Sequence, residues 1–250
     1  MGDVNDSETF SGRVALVTGA SGGIGAAIAE RLAAAGAAVA LGYGGGEAAA
    51  RSLAERLQAA GGRAVALQAD LARADAPRNL VDAAVAALGP LDLLIANAGL
   101  GRVQSLDEVT VEDFDEVLAV NLRAPFLLAQ RALPAMAERG FGRTIFISSV
   151  AAFTGGIVGP HYAASKSGLH GLTHYLSARF APSGVTVNAL APALITDTGM
   201  LPGTPGELAA RIPVGRLGQP GEVADLAVAV LANGYMTNQV ISVDGGMYPH

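Results

Sequence analysis

Tyr162 and Lys166 stand four residues apart, and Ser149 lies thirteen residues before the tyrosine. On a helix, a Tyr–x3–Lys pair puts both side chains on one face, one turn apart. A lysine ammonium near a tyrosine favours the phenolate and lowers the phenol pKa, so the tyrosine can act as acid or base nearer neutral pH. A serine hydroxyl close by could hold a substrate oxygen. Near the start of the chain runs a glycine-rich turn, Thr18-Gly19-Ala20-Ser21-Gly22-Gly23-Ile24-Gly25. The turn suggests a dinucleotide. The Ser–Tyr–Lys set suggests proton transfer at an oxygen while hydride moves at the adjoining carbon.

These residues need elements to position them. Apolar runs of strand length at 14–17, 38–41, 64–68, 91–96, 144–148, 185–190 and 240–243 alternate with helical patterns. The helices are expected at 24–35, 47–60, 79–88, 111–139, 161–180 and 222–231. Gly61-Gly62 is a stop signal for the second helix. Pro125 and Pro134 are expected to bend or split the long helix at 111–139. Continuous apolar strands alternating with helices predict a parallel sheet covered on both faces. The fold class is therefore α/β: a Rossmann-type doubly wound parallel sheet of about seven strands, in a single domain over 1–250. Residues 1–11 are polar and expected to be flexible. Residues 191–221 are rich in Pro, Gly and Thr and follow a strand's carboxyl end, where ligands of such sheets bind. They are expected to form a mobile lid over a substrate. Its apolar side chains, Leu194, Met200, Leu201 and Leu208, hint at a substrate with an apolar part.

The glycine turn follows the first strand and opens the first helix. Gly19 permits the tight turn, and Gly23 and Gly25 let backbone approach a pyrophosphate and helix pack on strand. The helix start at Ile24 supplies free N–H groups and a partial positive charge, and Ser21 adds a hydroxyl. Two spacings fit. Gly19, Gly23 and Gly25 match one nucleotide-binding family; Gly19, Gly22 and Gly25 match a related one that includes sugar epimerases.

Composition excludes several classes. Hydrophobic residues make up 51% and charged residues 15%, which points to a well-buried globular chain rather than a disordered one. The net charge of -6 disfavours nucleic acid and anionic membranes, because no basic stripe replaces phosphate counterions. No cysteine is present, which removes disulfides and thiolate chemistry. No apolar run reaches the ~18 residues of a membrane span. Residues 1–10 lack the pattern of a signal peptide, and a cytoplasmic location is expected.

The whole set resembles the short-chain dehydrogenase/reductase family, in its classical branch. The resemblance runs from about residue 12 to 246. It includes residues 18–25, Asp70-Leu71, Asn97-Ala98-Gly99, Asn121, Ser149, Tyr162-Ala163-Ala164-Ser165-Lys166, Pro192 and Val243-Asp244-Gly245-Gly246. It implies roles. Tyr162 is the general acid in reduction and the base in oxidation. Ser149 orients and polarises the carbonyl. Lys166 holds the nicotinamide ribose and lowers the Tyr162 pKa. Asn121 kinks its helix and carries a water that relays protons to Lys166. Asp70 and Leu71 border the adenine, and Asn97, Ala98 and Gly99 line the cofactor cleft. Pro192 and Ile195 meet the nicotinamide end. On the residues alone, Asn121 reads equally as a buried helix asparagine bonded to backbone, and Asp70 as a cap of the following helix. The resemblance also implies a homotetramer, with the long helices and the last strand at interfaces.

Cofactor choice turns on the end of the second strand. An acidic residue there would bind the ribose 2′-hydroxyl and select NAD. The position holds Tyr43, followed by Gly44-Gly45-Gly46. The missing carboxylate leaves room for a 2′-phosphate, so NADP(H) is favoured over NAD(H). Many relatives that use NADP place an arginine where this chain has Gly22, and Arg51, the nearest basic residue downstream, can be held out of reach by its helix. Pro192-Ala193 stands where the family usually has Pro-Gly, and Asp197 where a threonine often meets the carboxamide.

The expected reaction is hydride transfer between NADP(H) and a carbonyl or secondary alcohol, on a small-molecule substrate. The Gly61-Gly62-Arg63-Ala64 and Val185-Thr186-Val187-Asn188 stretches look like 3-oxoacyl-[acyl-carrier-protein] reductases. Reduction of a 3-oxoacyl thioester is therefore an alternative, with Arg139 and Arg143 near the sites that often carry basic residues in such enzymes. A dinucleotide-binding sensor without turnover, and an epimerase or dehydratase with tightly held NAD, are alternatives of other classes. His170 and His174 have a metal-like spacing but no third ligand, so no metal is expected. His161 reads as a surface residue at a helix start.

Overall fold

The computed structural model describes residues 9–248 apart from Met200 and Pro202. Of the expectations above, Met200 and the segment 1–8 lie outside the described residues. Phe10 is buried, and its N–H donates to Ala35 O at 2.8 Å, so the chain is tied down by that point.

Seven parallel strands form one sheet: β1 (Val14–Thr18), β2 (Ala38–Tyr43), β3 (Ala64–Gln68), β4 (Leu93–Ala96), β5 (Gly142–Ile147), β6 (Val185–Pro192) and β7 (Val240–Val243). Their order is β3-β2-β1-β4-β5-β6-β7. The helices are α1 (Gly23–Ala34), α2 (Glu47–Ala59), α3 (Ala76–Leu88), α4 (Val111–Leu118), α5 (Ala124–Glu138), α6 (Ala151–Thr154), α7 (Pro160–Phe180), α8 (Pro205–Ala209) and α9 (Pro220–Ala232).

The apolar strands make this sheet because both of its faces are buried. Ala15, Val17, Ile95 and Ile145 point into one core with α1, α2 and α9. Leu16, Leu94 and Phe146 point into the other, with α3, α5 and α7. Successive residues thus alternate between two cores rather than between core and water. The winding reverses at β1, which pairs with β2 on one side and β4 on the other. A crevice opens beyond the carboxyl ends of the strands at such a reversal.

Two elements differ from expectation. The long helix breaks at a π-turn over Ala119–Arg123, not at a proline. Pro125 follows two residues past this turn in the same continuous helix, so its missing N–H leaves a carbonyl of the turn without a helical donor, and α5 runs on through Pro134. The extra residue falls where the Asn121 side chain is drawn out of its helix, as described below. The segment 191–221 is less irregular than its composition suggests. β6 continues to Pro192, Ile195 bridges Gly218, and α8 forms inside it on a Thr204–Glu207 capping box.

The glycine turn is pressed against the loop after β4. A Cβ on Gly19 (φ 65°) would lie 2.9 Å from Ala98 Cα, and one on Gly25 would lie 2.3 Å from Gly19 O. Gly23 has φ 53°, in the left-handed region. Gly22 is extended and a Cβ there would meet nothing within 4 Å. The backbone therefore requires the 19, 23, 25 spacing. In urea denaturation, Gly25→Ala is expected to lose roughly 3 kcal/mol or more. Gly22→Ala is expected to stay within about 1 kcal/mol of the parent.

Candidate active site

Thr18 and Asn97 lock the turn to the β4 loop. Thr18 Oγ1 accepts the N–H groups of Asn97 and Ala98, each at 3.0 Å. Asn97 Nδ2 donates to Thr18 O at 3.0 Å and Gly19 O at 3.2 Å. The side chain of Asn97 is spent on the backbone, so its part in any ligand site is to hold the turn. Thr18 does as much, and only its hydroxyl type beside the turn signalled it in sequence.

α7 carries Tyr162 and Lys166 on one buried face. Ser149 lies two residues past β5, where its Oγ accepts Ala151 N–H at 3.1 Å and its hydroxyl meets the Tyr162 phenol. The three side chains therefore converge at the carboxyl end of the sheet. Lys166 Nζ donates to Ile147 O at 2.8 Å and sits 5.7 Å from the Tyr162 ring centre. Burial pushes the Tyr162 phenol up, and the Ser149 contact pulls it partly back. Burial alone pushes Lys166 down to about 8. A phenol lowered by the lysine is thus not what this geometry gives. The ammonium is aimed at a backbone carbonyl, and removal of both groups from water dominates.

Asn121 is fully buried. Its Oδ1 accepts Leu100 N–H at 2.7 Å, and its Nδ2 donates to Leu100 O at 2.8 Å and Ser165 Oγ at 3.0 Å. Ser165 Oγ donates in turn to Tyr162 O at 2.7 Å. One amide thus ties the β4 loop to the turn of α7 that bears the tyrosine. A Cβ on Gly99 would sit 3.3 Å from Lys166 Nζ and 3.6 Å from Asn121 Oδ1, so a side chain there would press on the lysine head.

A cavity of about 750 Å³ runs from the glycine turn to these hydroxyls. Gly19, Ser21, Gly23, Ile24, Asn97, Ala98, Gly99, Ser149, Tyr162, Lys166, Pro192 and Ile195 line it. Gly25, Tyr43, Asp70, Leu71 and Asn121 do not. Gly25 is packed under the turn, Asn121 lies behind Gly99, and Tyr43 ends β2 at the rim. Asp70 Oδ1 accepts Ala72 N–H at 3.1 Å, capping a turn rather than α3, whose N-cap is Asp75. The lining that sequence reading missed comes from the loop after α6 (Ile157, Val158), from Arg211 and from Met247. Asp244 accepts the N–H groups of Gly246 and Tyr248, each at 2.9 Å, and so folds the tail back to bring Met247 there.

His161 corrects the surface expectation. It is fully buried, and neither ring nitrogen has a partner. Gly159 places the Gln104 carbonyl and the His161 ring on either side of one hypothetical Cβ, which shows how the β4 loop covers this residue. His170 Nε2 meets Ser148 Oγ at 2.8 Å, and His174 Nδ1 meets Asn238 Oδ1 at 2.7 Å, so the pair turns to separate partners. Arg139 and Arg143 lie at the amino ends of the strands. Arg139 contacts Leu91 O, and Arg143 donates to Gly184 O at 3.1 Å, far from the cavity mouth.

Residues 13–206 match the short chain dehydrogenase family. The chain belongs to that family. As a short-chain dehydrogenase/reductase it is an NAD(P)-dependent oxidoreductase acting between CH–OH and C=O. It is 38% identical over 247 residues to the cis-4-hydroxycyclohexanecarboxylate dehydrogenase of Sinomonas cyclohexanicum, covering 96% of this chain and 98% of that one. A 3-oxoacyl-[acyl-carrier-protein] reductase of Staphylococcus aureus is 38% identical over 94% of this chain and 97% of its own. Among solved structures, a blue fluorescent protein from a metagenomic library in complex with NADPH superposes with a TM-score of 0.91. It is 39% identical, with 96% of this chain and 100% of that one covered. A short-chain dehydrogenase of Burkholderia cenocepacia J2315 in complex with NADP gives 0.89 at 38% identity, covering 96% and 99%. The glycine cradle, too tight for any Cβ at Gly19 and Gly25, fits a nicotinamide dinucleotide laid across the turn.

Two measurements check the site. The Lys166 pKa is lower folded than unfolded, so the folded chain gives up this proton first and its stability rises with pH from about 8 to the unfolded value. The unfolding free energy of the parent should therefore gain on that of Lys166→Met between pH 8 and 10 in urea titrations, and run parallel to it below pH 7. His161→Leu keeps nearly the same volume without unpaired nitrogens, so its melting temperature should equal or exceed the parent's.

Proposed function

We propose that the chain reduces carbonyl compounds, and oxidises the corresponding secondary alcohols, with NADP(H). The observation that carries this reading is the meeting of the Ser149 and Tyr162 hydroxyls at the end of a cavity that starts in the glycine turn. When bound, the nicotinamide supplies or accepts the hydride. Tyr162 holds a proton at Oη and gives it to the substrate oxygen as that oxygen gains charge. Its raised pKa keeps the phenol protonated for reduction at neutral pH. Ser149 Oγ donates a second hydrogen bond to the same oxygen and fixes its position.

Lys166 Nζ, on the Gly99 side of the cleft, is the group to hold the nicotinamide ribose. Once hydrogen-bonded there, its charge is available to stabilise the phenolate that Tyr162 leaves behind. Both ends of the Asn121 amide are occupied. A relay water is therefore assigned to the main-chain carbonyls of the π-turn rather than to the side chain.

For the 2′-phosphate, the support is Tyr43 in place of a carboxylate, together with Arg51. The Arg51 guanidinium stands near the Tyr43 hydroxyl while paired with Glu47 at 2.7 Å, which supports its reaching that end of β2. Asp70 and Leu71 are assigned to the adenine, beside Tyr43. Reduction of 3-oxoacyl thioesters is the second reading, favoured by the identity to the carrier-protein reductases. Assembly as a tetramer is proposed from half-exposed Phe114 and Phe126 on α4 and α5 and exposed Tyr175 on α7.

The test is the initial rate of nucleotide oxidation with an acetoacetyl thioester and with simple ketones, NADPH beside NADH. Faster turnover with NADPH is expected. Tyr162→Phe should lose at least ~100-fold in kcat while still binding nucleotide, and loss of neither would sink the proton-transfer role. Gly22→Arg, in open space, should lower the KM for NADPH about tenfold and leave NADH unchanged.

A further inference from the structure

Two basic side chains line the cavity among the described residues, Lys166 and Arg211. Lys166 is committed to the Ile147 carbonyl and the ribose side. Arg211 is committed to nothing: among the described residues no carboxylate lies within 4 Å of it, and its guanidinium has no hydrogen-bond partner. Its neighbour in the lid is the opposite case. Arg216 is held by both oxygens of Glu222, at 2.7 and 2.9 Å.

The placement of Arg211 is built rather than incidental. It follows α8, and its N–H donates to Leu208 O at 3.1 Å. Leu208 and Ile212 on either side are buried in a small cluster with Leu217, against which Ile157, Leu194, Leu201 and Met247 pack. These anchors hold the arginine backbone at the wall while its head stays in solvent. The acidic lining residue, Asp197, stands at the other end: its carbonyl lies 3.1 Å from where a Gly23 Cβ would be. The far end of the cavity is thus apolar on its sides with one unpaired guanidinium. A guanidinium fork pairs best with a carboxylate or phosphate.

We propose that Arg211 binds an anionic group on the substrate, remote from the reacting carbonyl, and so selects keto acids or phosphate-bearing ketones over neutral ones. This rests on the carbonyl-reductase reading above. An apolar spacer between the two ends would lie against Ile157, Leu194 and Leu201.

The test is kcat/KM for a series from 4-oxopentanoate to 7-oxooctanoate against the methyl esters, and for acetoacetyl-coenzyme A against the N-acetylcysteamine thioester. In at least one pair the parent should prefer the anion by about tenfold or more, carried in KM. The first series identifies a carboxylate as the anion and the second a phosphate. Arg211→Met should erase the preference with neutral-ester turnover kept, and Arg211→Lys should restore part of it. Equal use of anion and ester by the parent, or a preference that survives Arg211→Met, overturns the proposal. If nothing is turned over, the carbonyl-reductase reading fails separately. Calorimetric titration of the NADPH-loaded protein with octanoate then decides: binding lost in Arg211→Met supports the anion site, and no binding by the parent removes it.

Discussion

The turn after β1 and the loop after β4 approach so closely that no side chain fits between them. Everything else in the site hangs on that contact. The Thr18 hydroxyl and the Asn97 Nδ2 turn a close approach into a fixed one, because each pairs with two backbone groups that burial would otherwise leave unpaired. The contact sets the wall of the dinucleotide cradle and the height of Gly99. Gly99 in turn sets the space between Lys166 and Asn121.

The electrostatics follow from depth. Tyr162 and Lys166 are both nearly out of water, and burial moves each toward its neutral form. The protein holds a neutral proton donor next to a cation that is expensive to keep charged. Such a cation is stabilised by any polar group that approaches it, which makes the lysine responsive to what lies in the cleft.

Much of this was legible in the chain. The strands were clear because both faces of the sheet are buried, so their apolar runs are unbroken. The convergence of Ser149, Tyr162 and Lys166 was legible because the Tyr–x3–Lys spacing shares one helix face and Ser149 follows a strand's carboxyl end. The helix break was not. Proline marks a lost N–H, but Pro125 does not by itself say that the turn before it widens. The true break at Asn121 is set by partners at Leu100 and Ser165, far away in sequence. His161 was misread for a similar reason: only the fold shows that residues near Gln104 close over it. The start of α8 was a missed signal of the ordinary kind, since Thr204-Pro205-Gly206-Glu207 spells a capping box with proline in the first turn. Arg211 could not be told from any solvated arginine until Leu208 and Ile212 were seen to be buried around it.

Beyond Ile195, which belongs to a main core, the lid rests on its own small apolar cluster around Leu208, Ile212 and Leu217. The Ile195–Gly218 bridge closes the lid on itself, and the Val214 N–H ties it to Gly245 O of the tail at 3.2 Å, apart from the hydrogen bonds that link Thr18 with Asn97 and Asn121 with Ser165. The molecule thereby separates a part that must keep its dimensions from a part that can be rewritten. Changes between β6 and α9 can reshape the cover of the cavity while Ser149, Tyr162 and Lys166 stay where they are. One floor can serve many substrates by exchange of its cover.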